Sequence, residues 1–293
     1  MRNAIINNIF KLMHTNKKIF FLTGDMGINL IEKFEDKFPD RFLNVGIAEQ
    51  NLISISSGLY NAGYLPFAYA ISNFITLRCL EQIRNDIILH NYPIILIGTS
   101  TGFDNAPLGP THHVIDEWGA LKSFPNLEIY CPNSLKYAET LIPKVLKRKK
   151  PTYIRIPKTS FSDVKTTKDL FYLKGKDRKI LLISYGGTSR ACLEINKLNN
   201  ISCLLFNKIH PIDKNFYNIV RGYQNVLIVE DQMKFNNLYT SIAETLFNQK
   251  IRPNLHQMCP DKYELKVGNS QDYFYKQFRM DINSILNRIN KIK

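Results

Sequence analysis

Short continuous apolar segments alternate with segments of helical periodicity along almost the whole chain. The apolar segments have the length of strands, and few polar residues interrupt them, as in strands that are buried on both faces of a sheet. Helices between such strands supply the crossovers that parallel pairing requires. The pattern predicts an α/β fold with parallel sheets in three-layer domains. The predicted strands are 19–22, 42–45, 65–70, 94–97, 127–130, 153–156, 180–183, 203–206 and 226–229.

A polar stretch divides the chain into two units. Residues 158–179 are rich in Lys, Thr and Asp and show little periodicity, which is typical of a linker. We predict one domain over residues 1–160, a linker over 161–178 and a second domain over 179–293. At 293 residues the chain is long enough for two domains. The predicted helices nearest to candidate site residues are 49–60, 74–89 and 112–124.

Charge and cysteine content narrow the class of protein. The chain has 39 basic and 25 acidic residues, a net charge of +14. Because the basic residues are dispersed, we expect no nucleic-acid partner, and the positive field suits phosphorylated sugars or an acidic subunit. No apolar run is long enough for a membrane span, and no secretory signal is recognised. Five cysteines without CxxC spacing indicate reduced thiols, as in the cytoplasm.

The first candidate site is a strand, a tight turn at Gly46 and a helix that opens on Glu49. An acid in the first turn of a helix gains about 0.3–1 kcal/mol from the helix dipole, which alone could explain its presence. However, ligands of parallel sheets bind beyond the carboxyl ends of the strands, where Glu49 is expected. A carboxyl group in such a crevice can exchange protons with a bound heterocycle.

Other candidates lie at or near other predicted strands. Phe74 begins a predicted helix and Arg78 lies one turn on; taken alone, Phe74 is typical of a core residue, and Arg78 could equally be an ordinary ion-pair partner. The string 109–113, Gly-Pro-Thr-His-His, contains the adjacent His112 and His113, a pair that by itself often has no functional role. Asp25 ends the first long strand, where it could simply cap the next segment. Arg155 lies in an otherwise apolar strand and needs an anion there.

Together these segments resemble the transketolase family. The resemblance is carried by residues 46–51 (Gly-Ile-Ala-Glu-Gln-Asn), the helix from Phe74 and the string 109–113. It implies an enzyme that uses thiamine diphosphate to move a two-carbon ketol unit between sugar phosphates. By the same resemblance, Glu49 would hydrogen-bond the aminopyrimidine of the cofactor, Phe74 would pack against that ring, and Arg78 and Asp25 would lie near it.

The resemblance also implies substrate contacts. His112 would face the substrate oxygen, and Arg155 would bind the terminal phosphate of the sugar. Leu108 and Ser100 depart from the family pattern, since members carry an acid and a histidine that contact substrate at these two places. These departures imply a changed substrate. The motif of the C-terminal domain is weakened to Glu230-Asp231-Gln232.

A missing motif implies a second polypeptide. Full-length members of the family begin with a domain that binds the diphosphate and Mg²⁺ through a Gly-Asp-Gly run, which this sequence lacks. We therefore expect a partner, an N-terminal-section transketolase subunit, in an α2β2 assembly. The alternatives are a β-type subunit of a 2-oxo-acid dehydrogenase, a deoxyxylulose-phosphate-type synthase, or a non-catalytic binding homologue.

Overall fold

Two mostly parallel sheets with flanking helices form the structure, a computed structural model that describes residues 1–158 and 164–292. The α/β prediction is confirmed. The strands are β1 (Ile19–Thr23), β2 (Phe42–Asn44), β3 (Leu65–Ile71), β4 (Ile95–Thr99), β5 (Glu128–Tyr130), β6 (Thr152–Ile156), β7 (Leu170–Leu173), β8 (Asp177–Ser184), β9 (Ile201–Phe206), β10 (Lys208–His210), β11 (Asn225–Val229) and β12 (Asn254–Met258).

Helices connect most of these strands. The α-helices are α1 (Arg2–Thr15), α2 (Glu32–Lys37), α3 (Glu49–Asn61), α4 (Ser72–Thr76), α5 (Leu80–Gln82), α6 (Glu117–Leu121), α7 (Leu135–Arg148), α8 (Ser189–Asn199), α9 (Phe216–Val220), α10 (Leu238–Asn248), α11 (Gln271–Gln277) and α12 (Ile282–Ile292). The 3₁₀ segments are Pro39–Arg41, Leu77–Cys79, Ala106–Leu108, Pro110–His112 and Gly186–Thr188, and Ile83–Ile88 forms a π-helix. None of the helices in the described ranges is both long and apolar enough to cross a bilayer.

The first sheet has seven strands in the order β10-β5-β6-β4-β3-β1-β2, and the second has five in the order β12-β11-β8-β9-β7. Helices α1 and α7 cover one face of the first sheet, where Ile5, Ile6, Ile9 and Met13 of α1 are fully buried. A single apolar cluster joins the opposite face to one face of the second sheet, from Leu52 and Trp118 to Ile183 and Phe206. Burial at about 25 cal/mol per Å² of apolar surface therefore holds the two units together.

Two strands, β7 and β10, lie in places that the predicted domain boundaries did not anticipate. β7 lies inside the predicted linker 161–178, pairs antiparallel with β9 and forms an edge of the second sheet. β10 comes from the second half of the chain but pairs antiparallel with β5, at the edge of the first sheet. Its Lys208 is almost buried and donates to Glu128 Oε1 at 2.8 Å. Residues 161–163 of the predicted linker and 159–160 of the predicted first domain lie outside the described residues.

Two predicted helices are less regular than expected. The helix predicted over 74–89 is a succession of α, 3₁₀ and π turns that begins at Ser72, and its π turn leaves the adjacent Ile87 and Ile88 both buried. The helix predicted over 112–124 is wrong in its first part, because Val114 forms an antiparallel bridge with Gly102 and α6 begins only at Glu117.

Candidate functional site

The carboxyl ends of β1 and β3 mark the point where the connections of the first sheet change direction. From β1 the chain passes to β2 on one side and then to β3 on the other. Such a switch point leaves a crevice in which α/β proteins bind ligands. Gly24 follows β1 there, and a Cβ built on it would stand 3.3 Å from Glu49 Cγ and 3.6 Å from Ala70 Cβ. The lack of a side chain at Gly24 therefore lets Glu49 lie against the crevice.

Glu49 opens α3 as predicted and is only 3% exposed. A buried carboxylate requires a partner, and Arg78 Nη1 donates to Glu49 Oε2 at 2.6 Å. Among the residues that the structure describes, this is the one side-chain hydrogen bond of the Glu49 carboxylate. The second oxygen, Oε1, is therefore left to accept a hydrogen bond from a ligand.

A chain of contacts leads from this carboxylate through Arg78 and Phe74 to His112. The Arg78 guanidinium lies 4.2 Å from the centroid of the Phe74 ring, so one face of that ring is covered by a cation. The imidazole of His112 meets Phe74 edge-on, with centroids 5.2 Å apart. Asn73 Nδ2 donates to the carbonyl of Thr111 at 2.7 Å, which ties the loop of His112 to α4.

Asp25 lies at the same edge and is held by a residue that sequence reasoning missed. Asn44, at the end of β2, accepts from the backbone N–H of Asp25 and from that of Gly46, both at 3.0 Å. Its Nδ2 also donates to Asp25 Oδ1 at 3.2 Å. Asn44 thus fixes the turns before and beside Glu49. An amide at the carboxyl end of a strand, two residues before a glycine, was the available signal.

The two departures from the family pattern have different surroundings. Leu108 ends a 3₁₀ turn and is 56% exposed, in the same loop as His112. Ser100 follows β4 directly, is almost buried and has a left-handed backbone (φ 62°). Leu108 is therefore placed where a bound molecule could touch it, whereas Ser100 mainly shapes the start of the loop.

Arg155 does not lie in an open cleft, and the phosphate-binding role assigned to it is corrected. The side chain is fully buried, with Nε 2.6 Å from Glu117 Oε1 and Nη2 3.0 Å from Asp231 Oδ1. Nη2 also donates to the carbonyl of Val114 at 3.1 Å. The negative charge that the buried Arg155 cation needs is supplied by two carboxylates of the protein, Glu117 and Asp231. Arg155 therefore connects the first sheet to the second unit, and a phosphate has no path to it.

Buried carboxyl groups outnumber cations around Arg155. Burial raises the pKa of Asp104 to about 6 and that of Glu230 to about 7, and it also raises the pKa values of Glu117 and Asp231. Arg155 opposes this rise for Glu117 and Asp231. Glu230 instead accepts backbone hydrogen bonds from Leu238 and Tyr239, at the start of α10. Glu117 and Asp231 therefore meet at Arg155 between the units, whereas Glu230 holds the start of α10 within the second unit.

Glu230→Gln should change how stability depends on pH. A carboxyl whose pKa is raised in the folded state stabilises the fold when protonated, below its unfolded pKa of 4.5, and this stabilisation is lost as the pH rises through about 7. The glutamine variant lacks this loss. Between pH 5 and pH 8 the wild-type free energy of unfolding should therefore fall by about 2–3 kcal/mol relative to the variant. Denaturant titrations at both pH values measure the difference.

Glu244→Gln, an exposed change on the same helix α10, is the matched control and should show no such pH-dependent difference. A constant stability difference between wild type and Glu230→Gln across this range would contradict the assignment.

The arrangement as a whole can hold a flat, partly apolar heterocycle. It offers a buried carboxylate with a free oxygen, an aromatic wall and an imidazole on one side of the crevice. In the described ranges, no three His, Cys, Asp or Glu side chains are grouped closely enough to hold a metal ion.

Comparisons with known proteins agree with this geometry. The family described as "Transketolase, pyrimidine binding domain" matches residues 1–163. The 1-deoxy-D-xylulose-5-phosphate synthase of Fusobacterium nucleatum is 27% identical over 300 residues, 98% of this chain and 49% of that protein. This chain therefore spans about half the length of that synthase. An apulose-4-phosphate transketolase subunit of Phocaeicola vulgatus is 25% identical over 286 residues, 93% of this chain and 91% of that subunit.

A solved structure shows the same fold. A split-gene transketolase described as an inactive β4 tetramer superimposes with a TM-score of 0.86, over 99% of this chain and 97% of that one, at 21% identity.

Proposed function

The chain belongs to the transketolase family through its pyrimidine-binding domain, and we propose that it is the subunit of a split transketolase that activates the cofactor. In this role it transfers a two-carbon ketol unit between sugar substrates, together with a second polypeptide. The observation that carries the proposal is Glu49, a buried carboxylate at the switch point of the first sheet with one oxygen free.

The residues at the crevice fit thiamine diphosphate. Glu49 would form a hydrogen bond with a ring nitrogen of the aminopyrimidine, and Phe74 would supply an apolar wall for that ring. Arg78 would have to leave the face of Phe74 that it covers if the ring binds on that side. When bound, thiamine diphosphate supplies the nucleophile and the electron sink of the reaction. Glu49 would hold or share the proton that tunes the pyrimidine, in a position that excludes water.

His112 is proposed to orient the substrate and move its proton. Its imidazole stands beside Phe74, and Nδ1 lies 3.0 Å from Thr111 Oγ1. That contact and the Asn73 hydrogen bond fix the loop on one side. Because Arg155 is buried, phosphate recognition on this chain has no assigned residue, and the sugar proposal depends on the string 109–113 and on the likeness to the apulose-4-phosphate transketolase of Phocaeicola vulgatus.

A partner subunit is proposed to complete the site with the diphosphate and Mg²⁺ ligands. Exposed apolar side chains follow three strands at the edge that carries Glu49. They are Ile28 (81% exposed), Ile47 (77%) and Leu108 (56%). A second chain seated on this edge would bury them and enclose the cofactor. We propose an α2β2 assembly, and a cytoplasmic location from the reduced cysteines.

A deoxyxylulose-phosphate-type synthase is the second candidate, favoured by the match of nearly the whole chain to half of the Fusobacterium synthase. A 2-oxo-acid dehydrogenase subunit is the remaining enzymatic alternative. The candidates differ in the donor, a ketose for a transketolase and a 2-oxo acid for the synthase and the dehydrogenase.

The decisive experiment combines the purified chain with a polypeptide that carries the Gly-Asp-Gly motif, thiamine diphosphate and Mg²⁺. We expect two-carbon transfer from a ketose phosphate to an aldose acceptor, followed by NMR of the products, and no transfer with either chain alone. Turnover of a 2-oxo acid but not of a ketose would favour the second candidate. Thiamine diphosphate binding by calorimetry without turnover of either donor would indicate a non-catalytic homologue.

A further inference from the structure

The loop that carries His112 is held on its carboxyl-terminal side by the second unit. This loop, residues 100–116, runs between β4 and α6. The backbone N–H of Met233, just beyond β11, donates to the carbonyl of Ile115 at 2.6 Å. Gln232 Nε2 donates to the carbonyl of Val114 at 3.2 Å. Both acceptors follow His112 by two or three residues, so the turn 231–233 limits where the imidazole can lie.

The carbonyl of Val114 is fixed from several directions. Besides Gln232, it accepts from Arg155 Nη2 at 3.1 Å and from the backbone N–H of Gly102 at 3.0 Å. Gln232 is 1% exposed, and its Nε2 also donates to Glu117 Oε2 at 2.7 Å. One amide group of the second unit thus bridges the loop and the start of α6. Because the amide is buried, losing its donors would leave polar groups unsatisfied.

The approach of the second unit to the loop is very close at Gly102. A Cβ built on Gly102 would stand 2.1 Å from Asp231 Oδ2, and the backbone there is left-handed (φ 58°). Both observations require glycine at this position. Because Gly102 has no side chain, the turn 231–233 can approach closely enough for Asp231 to reach Arg155 and for Gln232 to reach the carbonyl of Val114.

Aromatic rings of α11 hold the loop in a second place. The Phe274 ring lies 4.6 Å from the imidazole of His113 in an edge contact, and 4.8 Å from the stacked ring of Phe103. His113, adjacent to His112, is 5% exposed. Through Phe274, the second unit therefore packs against Phe103 and His113, two residues of the loop that presents His112.

From these contacts we infer that Gln232 and Phe274 are positioning residues for His112. The first unit supplies the groups of the crevice, and the second unit fixes the loop so that the imidazole stands against Phe74. A displacement of about 1 Å of a catalytic group can cost about 100-fold in rate, so such a clamp has catalytic consequences. The inference rests on the proposed function only in the substrate role given to His112.

Gln232→Met tests the clamp, because methionine keeps the length of the side chain and removes its donors. Gln257→Met is the matched control, since Gln257 Nε2 donates to a buried glutamate of the second unit, Glu230, at 3.2 Å but is not bonded to the loop. Selectively labelled His and Phe report the ring contact of His112 with Phe74 by NMR, with assignment from His112→Asn. We expect the nuclear Overhauser effect between these rings to weaken at least two-fold in Gln232→Met and to persist in Gln257→Met.

Activity is the second readout. In the assembled enzyme, kcat/KM should fall about ten-fold in Gln232→Met and stay within two-fold in Gln257→Met. If Gln232→Met does not fold, Phe274→Leu takes its place with the same expectation, because it removes the ring that touches His113. An unchanged His112–Phe74 contact in the folded variant, or an equal change in Gln257→Met, would overturn the inference. The NMR result does not require turnover, so it stands apart from the test of ketol transfer.

Discussion

Glu49→Gln should reduce kcat of the assembled enzyme by about 1,000-fold or more. Glutamine keeps the shape of the side chain and can still face a ligand, but it cannot hold or share the proton that the carboxyl contributes. General acid–base groups typically contribute about 100- to 10,000-fold, and Glu49 is a buried acid at the crevice between β1 and β3 with one oxygen free of the Arg78 hydrogen bond. Steady-state kinetics with the partner subunit measure the effect.

The same variant separates catalysis from folding. Glu49→Gln removes a buried charge but leaves Arg78 partly exposed to water, so we expect a melting temperature close to that of the wild type. Glu35→Gln, an exposed change on α2, is the control and should leave both quantities unaltered. If Glu49→Gln kept more than about a tenth of the wild-type kcat, Glu49 could not have the role proposed for it.

The local part of the site could be predicted from the sequence because it depends on neighbours along the chain. The strand at 42–45, the turn at Gly46 and the helix from Glu49 are separated by a few residues, and parallel sheets place such turns at one edge. The burial of Glu49 beside Arg78 and Phe74 follows from that edge.

Contacts between distant segments could not be predicted in this way. Arg155 meets Glu117 and Asp231, which are 38 and 76 positions away, and the sequence showed only that an anion was needed. The family resemblance suggested a phosphate, whereas the fold supplies two carboxylates. Likewise, β10 pairs with β5 in the first sheet, where Lys208 donates to Glu128, a residue 80 positions away. Periodicity contains no information on such pairings.

The irregular loop 100–116 shows the same limit at shorter range. A helix was expected from His112 because the residues after it are compatible with one. Instead, non-local donors from Gly102, Arg155 and Gln232 occupy the carbonyl of Val114, and a helix there would have to give up these bonds. Tertiary hydrogen bonds to a buried carbonyl outweigh helix propensities of a few tenths of a kcal/mol per residue.

Arg155→Met should destabilise the protein by about 3–5 kcal/mol, because it leaves Glu117 and Asp231 buried without their shared cation. Denaturant unfolding measures the loss, and Arg190→Met, which breaks an exposed pair with Glu194, should change stability little. If the variant is too unstable to purify, Arg155→Met combined with Glu117→Gln and Asp231→Asn should recover part of the loss, since neither of the two carboxylates that Arg155 paired is then left without its cation.

The pH dependence of this loss tests its electrostatic origin. Burial raises the pKa values of Glu117 and Asp231 while Arg155 lowers them, so removing Arg155 raises both further. In Arg155→Met, stability should therefore be highest where the two carboxyls are protonated and should decline as the pH rises through their folded-state pKa values. The difference from the wild type should thus be larger at pH 8 than at pH 5.

A loss that is the same at both pH values would mean that Arg155 acts by packing alone. A selective rise in KM for phosphorylated acceptors at unchanged stability would instead restore the phosphate-binding role.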